Sequence, residues 1–136
     1  MSDVADDPTD DRRTVSPEPV VKRPAAIDSE PVPAADGLTK AVLIDESDGA
    51  STAAMRRFKL AAGTAVPRHT NTVEHEQYVL AGEYTVGIGA DEHLVSAGDA
   101  VFIPAGVEHW YRNDSDEPGA FICVVPNGDD EIKLAE

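Results

Sequence analysis

Three histidines and one asparagine lie at spacings that allow their side chains to converge. His69 and Asn71 are two residues apart, so on a β-strand they project to the same face. His75 follows a short turn and can begin the next antiparallel strand, while His109 follows a Pro-Ala-Gly turn and opens a strand of its own. The four positions can therefore meet at one point, as the ligands of a metal site must.

The elements that position these residues are short strands. Apolar or β-branched runs alternate with Gly, Pro, Asn, Asp and Ser, and no segment keeps a helical apolar period over three turns. Regular strands at roughly ten-residue spacing predict an all-β fold, an antiparallel sandwich or jelly-roll barrel. The predicted strands cover residues 38–44, 55–60, 77–80, 84–88, 93–95, 100–103, 109–112 and 120–125.

Composition changes near residue 36. The chain of 136 residues has room for one domain. Residues 1–36 carry six of the ten prolines and no aromatic residue, so they have too little apolar area to offset the entropy of ordering them. We expect an acidic, Pro-rich, disordered tail over residues 1–36 and a single domain over residues 37–136. An alternative for residues 31–33 is an edge segment on the domain or on a partner subunit.

The charge balance restricts the partners. There are 26 acidic residues against 11 Lys and Arg, a formal net charge of −15 at pH 7. Such a charge argues against nucleic acid and against anionic membrane surfaces, and leaves a small molecule as the expected ligand. The dispersed acids and the preference for Arg over Lys favour adaptation to high salt, the alternative being an ordinary acidic protein.

Cys123 is the only cysteine, so neither an intramolecular disulfide nor a thiolate cluster is expected. This cysteine usage fits a reducing compartment. The sequence also shows no run of the roughly 18 apolar residues that a membrane span needs. We therefore expect a soluble, cytoplasmic protein.

The segment from Gly98 resembles the second sequence motif of the cupin superfamily. That motif has the form G-x5-P-x-G-x2-H-x3-N, and this chain matches it at every position. The matching residues are Gly98, Pro104, Gly106, His109 and Asn113.

The segment from Gly63 resembles the first cupin motif, G-x5-H-x-H-x(3,4)-E-x6-G, with two departures. Gly63 and His69 fall in register, and so does the closing Gly82. Asn71 stands where the second histidine is expected, and His75 stands where the glutamate is expected. The tract V-E-H-E-Q-Y-V-L-A-G is also similar to that of a small single-domain, type-2 subgroup with a four-histidine metal site.

The resemblance implies a jelly-roll cupin barrel with one divalent transition metal held by His69, His75 and His109. Imidazoles suit several ions, so Fe, Mn, Cu, Ni and Zn all stay open. Asn71 is a weak fourth ligand, or holds a metal-bound water instead. Open coordination positions then imply an oxygenase or oxidase acting on a small organic molecule. The alternative is a non-enzymatic small-molecule or metal-binding module.

The two-residue period of a β-strand predicts further pocket residues. Gln77 shares the inward face with His75, and Tyr111 shares it with His109. Both are candidates to orient a substrate. Cys123 is expected near the barrel interior, either close to the metal or as a small buried hydrophobe. Arg56 is a candidate anchor for a carboxylate substrate, the alternative being a solubilising edge charge.

Four other polar residues are expected to stay outside the site. Glu76 is an alternative acidic ligand, but parity points it away from His75. Glu74 and Glu108 are expected to be solvated, and His93 to be structural or exposed. The sheet edge expected near residues 31–44 also favours a homodimer, since small cupins often pair through terminal strands.

Overall fold

The computed structural model describes residues 17–128 and 132–134, which form two antiparallel sheets facing each other. Two short 3-10 helices, Pro24–Ala26 and Glu46–Asp48, accompany the strands. No helix in these residues is long and apolar enough to cross a membrane. The strands are β1 (Ser29–Pro31), β2 (Leu38–Ile44), β3 (Ala53–Leu60), β4 (Ala65–Asn71), β5 (His75–Ala81), β6 (Glu83–Ile88), β7 (Asp91–Ser96), β8 (Ala100–Ile103), β9 (His109–Arg112), β10 (Gly119–Pro126) and β11 (Ile132–Leu134).

The strand order interleaves early and late parts of the chain. The larger sheet has the order β1-β2-β3-β10-β5-β8, and the smaller has the order β11-β4-β9-β6-β7. Strand β10 therefore lies between β3 and β5, and β9 lies between β4 and β6. The predicted all-β antiparallel jelly-roll is confirmed.

Three strands are absent from the predicted set: β4 (Ala65–Asn71), and the two strands closest to the ends of the described chain, β1 and β11. Ser29–Pro31 pairs with β2, with Ser29 opposite Ala41, although all three of its residues are exposed. Ile132–Leu134 likewise pairs with β4 while its side chains stay exposed. Backbone hydrogen bonds hold both strands, so neither needs an apolar face. The sheet thus begins inside the segment assigned to the tail, and β1 overlaps the edge segment considered at residues 31–33 only at Pro31. Residues 1–16 lie outside the described residues.

Two-residue alternation places the core between the sheets. On β5, His75, Gln77 and Val79 are buried while the residues between them are exposed. Strand β10 repeats this pattern with Phe121 and Cys123. The buried hydrophobic cluster comprises Leu38, Leu60, Val66, Val79, Tyr84, Val86, Val95, Ile103, Tyr111, Phe121, Cys123 and Val125.

Asn113 ties the end of β3 to the loop between β9 and β10. Its side chain is fully buried. Nδ2 donates to the carbonyls of Leu60 (3.1 Å) and Glu117 (2.9 Å), and Oδ1 accepts from the amide (3.0 Å) and hydroxyl (2.7 Å) of Ser115. Its backbone amide also donates to the carbonyl of Thr64 at 2.8 Å. One side chain thus satisfies polar groups of two separate turns.

Two buried tyrosines offer a matched test of hydroxyl burial. Tyr84 is 1% exposed, and its hydroxyl has no hydrogen-bond partner among the described residues. Tyr111 is 6% exposed, and its hydroxyl accepts a 2.7 Å hydrogen bond from Gln77 Nε2. We expect Tyr84→Phe to raise the free energy of unfolding by about 1 kcal/mol, because a buried hydroxyl without a partner is costly.

Tyr111→Phe is expected to lower the free energy of unfolding by about the same 1 kcal/mol, because the Gln77 amide loses its acceptor. Urea denaturation followed by circular dichroism measures both variants. A stability loss in Tyr84→Phe would contradict the prediction and indicate a buried water on its hydroxyl.

Candidate metal centre and pocket

A pocket opens between the inner faces of the two sheets. The space between its walls, including the open mouth, is about 620 Å³, within the range of small-molecule sites. No Asp or Glu occurs among the described residues that line it. The lining residues are Val32, Ala34, Leu38, Arg56, Phe58, Val66, His69, Asn71, His75, Gln77, His109, Tyr111, Phe121, Ile132 and Leu134.

Three histidines from three strands converge in this pocket. His69 on β4 lies opposite His109 on β9, with ring centroids 4.2 Å apart. His75 on β5 approaches from the other sheet, with its ring centroid 5.7 Å from that of His109. Two imidazoles that share an ion at about 2.1 Å have ring centres roughly 4.5–6.5 Å apart. The observed separations lie close to this range.

No three His, Cys, Asp or Glu side chains within residues 17–128 and 132–134 are already arranged to hold a metal ion. The ring centroids of His69 and His109 are 4.2 Å apart, which is slightly short for two ligands of one ion. A shared ion would require these two rings to separate by a few tenths of an ångström.

Backbone carbonyls fix the tautomers of two of these rings. His69 Nδ1 lies 2.8 Å from the carbonyl oxygen of Pro67, and His109 Nδ1 lies 3.0 Å from that of Val107. A carbonyl can only accept, so in each neutral ring Nδ1 carries the proton and Nε2 carries the lone pair. Metal-binding histidines are oriented in this way by their non-ligating nitrogen. The donor set therefore fits a divalent ion.

Asn71 lies in the same pocket, on β4 two residues beyond His69. It is 5% exposed, and its backbone carbonyl accepts a 2.8 Å hydrogen bond from the amide of Gly106. This bond joins the end of β4 to the turn that precedes His109. The structure thus brings the side chain to the pocket, and its role as a ligand stays a prediction.

Gln77 and Tyr111 face each other across the pocket. Gln77 Nε2 donates to the Tyr111 hydroxyl at 2.7 Å, which joins β5 of one sheet to β9 of the other. Burial raises the pKa of Tyr111, against the opposing effect of the Gln77 hydrogen bond. The phenol therefore stays protonated at neutral pH and can act as a hydrogen-bond donor.

Cys123 lies behind the pocket wall rather than on it. It is fully buried, with Sγ 3.3 Å from His75 Nδ1 and 3.7 Å from Arg56 Nη2. Burial raises the pKa of its thiol, although the Arg56 guanidinium opposes this. A protonated thiol in this place supports the His75 ring from behind, and Arg56 is the cation that enters the pocket itself.

The other polar candidates point outward. Glu74 and Glu76 are exposed, and the hydrogen bond between their side chains raises the pKa of Glu76. Glu108 is exposed and pairs with Arg68 at 3.3 Å. His93 is exposed on β7. All four are therefore exposed, as expected, and strand parity had predicted this for Glu76 and Glu108.

Sequence reasoning missed the apolar rim of the pocket. Val32 and Ala34 come from the segment after β1, and Ile132 and Leu134 come from β11. The alternation of Ile132 and Leu134 was a weak signal of a strand. Nothing in the sequence showed that the segment after β1 folds back to the pocket.

The chain matches a known protein family. A family model described as a cupin domain matches residues 56–125, a range that includes both histidine motifs. An uncharacterised protein of Streptomyces coelicolor is 25% identical over 69 residues, which are 51% of this chain and 66% of that protein. The match thus spans just under two thirds of that relative.

Solved structures share the architecture. The polyketide cyclase RemF of Streptomyces resistomycificus is 28% identical with a TM-score of 0.78, over 86% of this chain and 87% of that one. A cupin-2 domain of Rhodospirillum rubrum is 22% identical with a TM-score of 0.75, over 88% and 82%. A predicted oxalate decarboxylase of Thermotoga maritima is 24% identical with a TM-score of 0.68, over 85% and 100%. The last two likenesses concern the fold alone.

Proposed function

The chain belongs to the cupin family, and we propose on this basis that it is a metal-dependent enzyme acting on a small organic molecule. One observation carries the proposal: three imidazoles from three strands enter a single pocket whose described lining holds no carboxylate. His69, His75 and His109 would hold the ion. When bound, it would supply Lewis-acid or redox chemistry at its open coordination positions.

The leading form of this proposal is an oxygenase or oxidase. Three neutral ligands leave the full charge of a divalent ion uncompensated, which favours an anionic or enolisable substrate. The described lining residues include no Asp or Glu to act as a proton-transfer base. The protonated Tyr111 hydroxyl and the Gln77 amide, joined at 2.7 Å, would bind and orient the substrate oxygens.

A cyclase is the second candidate, and the likeness to RemF favours it. That protein is a polyketide cyclase and is 28% identical over 86% of this chain. Ring closure of a polycarbonyl chain consumes no oxygen, so the two candidates differ in their need for O₂. The apolar walls formed by Phe58, Val66 and Phe121 suit either kind of substrate.

Metal analysis and oxygen uptake test the proposal together. We expect purified protein, loaded with Fe(II), Mn(II), Ni(II) or Zn(II) and desalted, to retain about one equivalent of metal. We then expect O₂ consumption with at least one member of a panel of 1,3-diketones, phenols and keto acids. Conversion without oxygen would favour the cyclase. Retention of less than about a tenth of an equivalent of metal would overturn the metal proposal. Metal binding without turnover of any substrate would favour a non-enzymatic binding module instead.

Assembly, salt adaptation and cellular location stay predictions. The larger sheet begins with β1, a three-residue edge strand with exposed side chains that includes Pro31. A three-residue edge offers few backbone groups for pairing with a second copy of the chain. The predicted homodimer would therefore need a neighbouring segment at the interface as well.

A further inference from the structure

One row of side chains crosses the inner face of the larger sheet. Cys123 on β10 is in register with Arg56 on β3 and with Gln77 on β5. The three side chains therefore project to the same side, with Cys123 in the middle. Neighbouring strands lie about 4.8 Å apart, which separates the Arg56 and Gln77 backbones by roughly 10 Å. Arg56 and Gln77 both line the pocket.

Arg56 brings a positive charge into this pocket without an acidic partner. Its guanidinium contacts the Cys123 Sγ, at 3.7 Å, and the Phe58 ring, whose centroid lies 5.3 Å from the guanidinium carbon. No carboxylate forms an ion pair with it within the described residues, and its buried Nε has no hydrogen-bond partner there. The side chain is half-buried, and leaving the buried Nε–H of a charged group without an acceptor is costly.

The surface arginines behave differently. Arg68 pairs with Glu108, and Arg112 pairs with Asp114 at 2.7 Å. In an acidic chain with a net charge of −15, carboxylates are abundant enough to pair with these cations. Arg57 also has no carboxylate partner among the described residues, but it lies on the opposite face of the sheet. Arg56 differs because it lines the pocket, where it leaves a binding position for an anion from outside the chain.

Gln77 adds a hydrogen-bond acceptor at the other end of the row. Gln77 is 5% exposed and donates through Nε2 to Tyr111. Its Oε1 is buried and has no hydrogen-bond partner within the described residues. A buried amide oxygen in this state favours a ligand that carries a donor, such as a hydroxyl group.

Stacked rings form the wall between these two positions. Phe58 and Phe121 have centroids 5.2 Å apart with planes inclined by 22°, and Phe121 and Tyr111 have centroids 5.2 Å apart with planes inclined by 21°. All three rings line the pocket and make this part of its wall apolar. A planar or hydrocarbon ligand body packs well against such a surface.

We infer that the pocket binds a small organic acid, with its carboxylate on Arg56, its apolar body along Phe58 and Phe121, and a hydroxyl group on Gln77. The guanidinium fork matches a carboxylate in a bidentate geometry that no neutral ligand reproduces. The inference deepens the proposed function and rests on it only for taking this pocket as the substrate site. Among the small molecules considered for the proposed function, it favours those that carry both a carboxylate and a hydroxyl group.

Binding of a neutral and an anionic probe to metal-free full-length chain tests the Arg56 position. Isothermal titration calorimetry with benzoate and benzamide compares ligands of one shape that differ in charge. We expect benzoate to bind at least about tenfold more tightly than benzamide. Arg56→Met should remove this preference and leave the benzamide affinity within about twofold. Arg56→Lys keeps the charge and should retain part of the preference.

Arg57→Met is the matched control, because Arg57 is the next residue on β3 and contacts Ser29 on the opposite face of the sheet. It should leave the benzoate preference unchanged. For the Gln77 position, 3-hydroxybenzoate should bind about three to tenfold more tightly than benzoate, and Gln77→Met should remove that gain.

Two outcomes overturn the inference: no saturable benzoate binding up to about 10 mM, or an equal preference in wild type and Arg56→Met. Thermal melts of every variant show whether a loss of benzoate binding reflects unfolding. If Arg56→Met is unfolded, Arg56→Lys decides whether the charge at this position carries the preference. Metal content is measured in parallel. If the protein binds no metal but still prefers benzoate through Arg56, the metal proposal fails and the inference on the acid stands.

Discussion

Replacing His109 with alanine is expected to abolish stoichiometric metal binding, from about one equivalent to below about a tenth. His109 is 1% exposed and lies between the other two histidines, with ring centroids 4.2 Å from His69 and 5.7 Å from His75. Its Nδ1 is anchored on the carbonyl of Val107, so Nε2 is directed to the pocket at little entropic cost. Two remaining imidazoles form too small a ligand set for tight binding.

Inductively coupled plasma mass spectrometry, after loading and desalting, measures this effect. His93→Ala is the matched control, because His93 is the remaining histidine in the sequence and lies exposed on β7. It should retain the wild-type metal content. Full metal retention in His109→Ala, or an equal loss in both variants, would contradict the assignment of the centre. Circular dichroism of both variants separates metal loss from unfolding.

The second large effect is expected for Asn113→Ala, which should lower the free energy of unfolding by about 3–5 kcal/mol. The Asn113 side chain is fully buried and donates to two backbone carbonyls, those of Leu60 and Glu117. It also accepts from the amide and the hydroxyl of Ser115. Alanine leaves these groups without their partner in a place where water replaces it poorly.

Urea denaturation of the metal-free protein measures the loss without a contribution from bound metal. Asn127→Ala provides the comparison, because Asn127 is half-buried and its side chain makes a 2.9 Å hydrogen bond to the carbonyl of Ala50. We expect a loss of about 1 kcal/mol there. If the two losses were equal, the network around Asn113 would contribute no more than one ordinary hydrogen bond.

The faces of the site strands were predictable, because a strand has a period of two residues. Once His75 was placed inward, Gln77 had to follow it, and Tyr111 had to follow His109 in the same way. The same rule placed Glu76 outside. Local turn residues placed the ends of the predicted strands to within two residues, and residues 109–112 match β9 at both ends.

The contacts between distant strands were not predictable in the same way. The row from Arg56 through Cys123 to Gln77 depends on the registers of β3, β10 and β5, which no local pattern encodes. Gly87 is a further example, since a Cβ atom there would collide with the Trp110 ring. A glycine inside a strand signals a close approach, but its partner becomes known only from the fold.

The interleaved strand order also dictates when the pocket comes into existence. Strand β10 (Gly119–Pro126) is inserted between β3 and β5, although it leaves the ribosome after both of them. Strand pairs that are distant in the chain form slowly, because closing the intervening loop costs entropy before any contact compensates it. A nascent chain therefore exposes all three histidines while the wall that carries Cys123 and Phe121 is still missing. A ligand of this pocket can therefore be enclosed only once β10 has taken its place between β3 and β5.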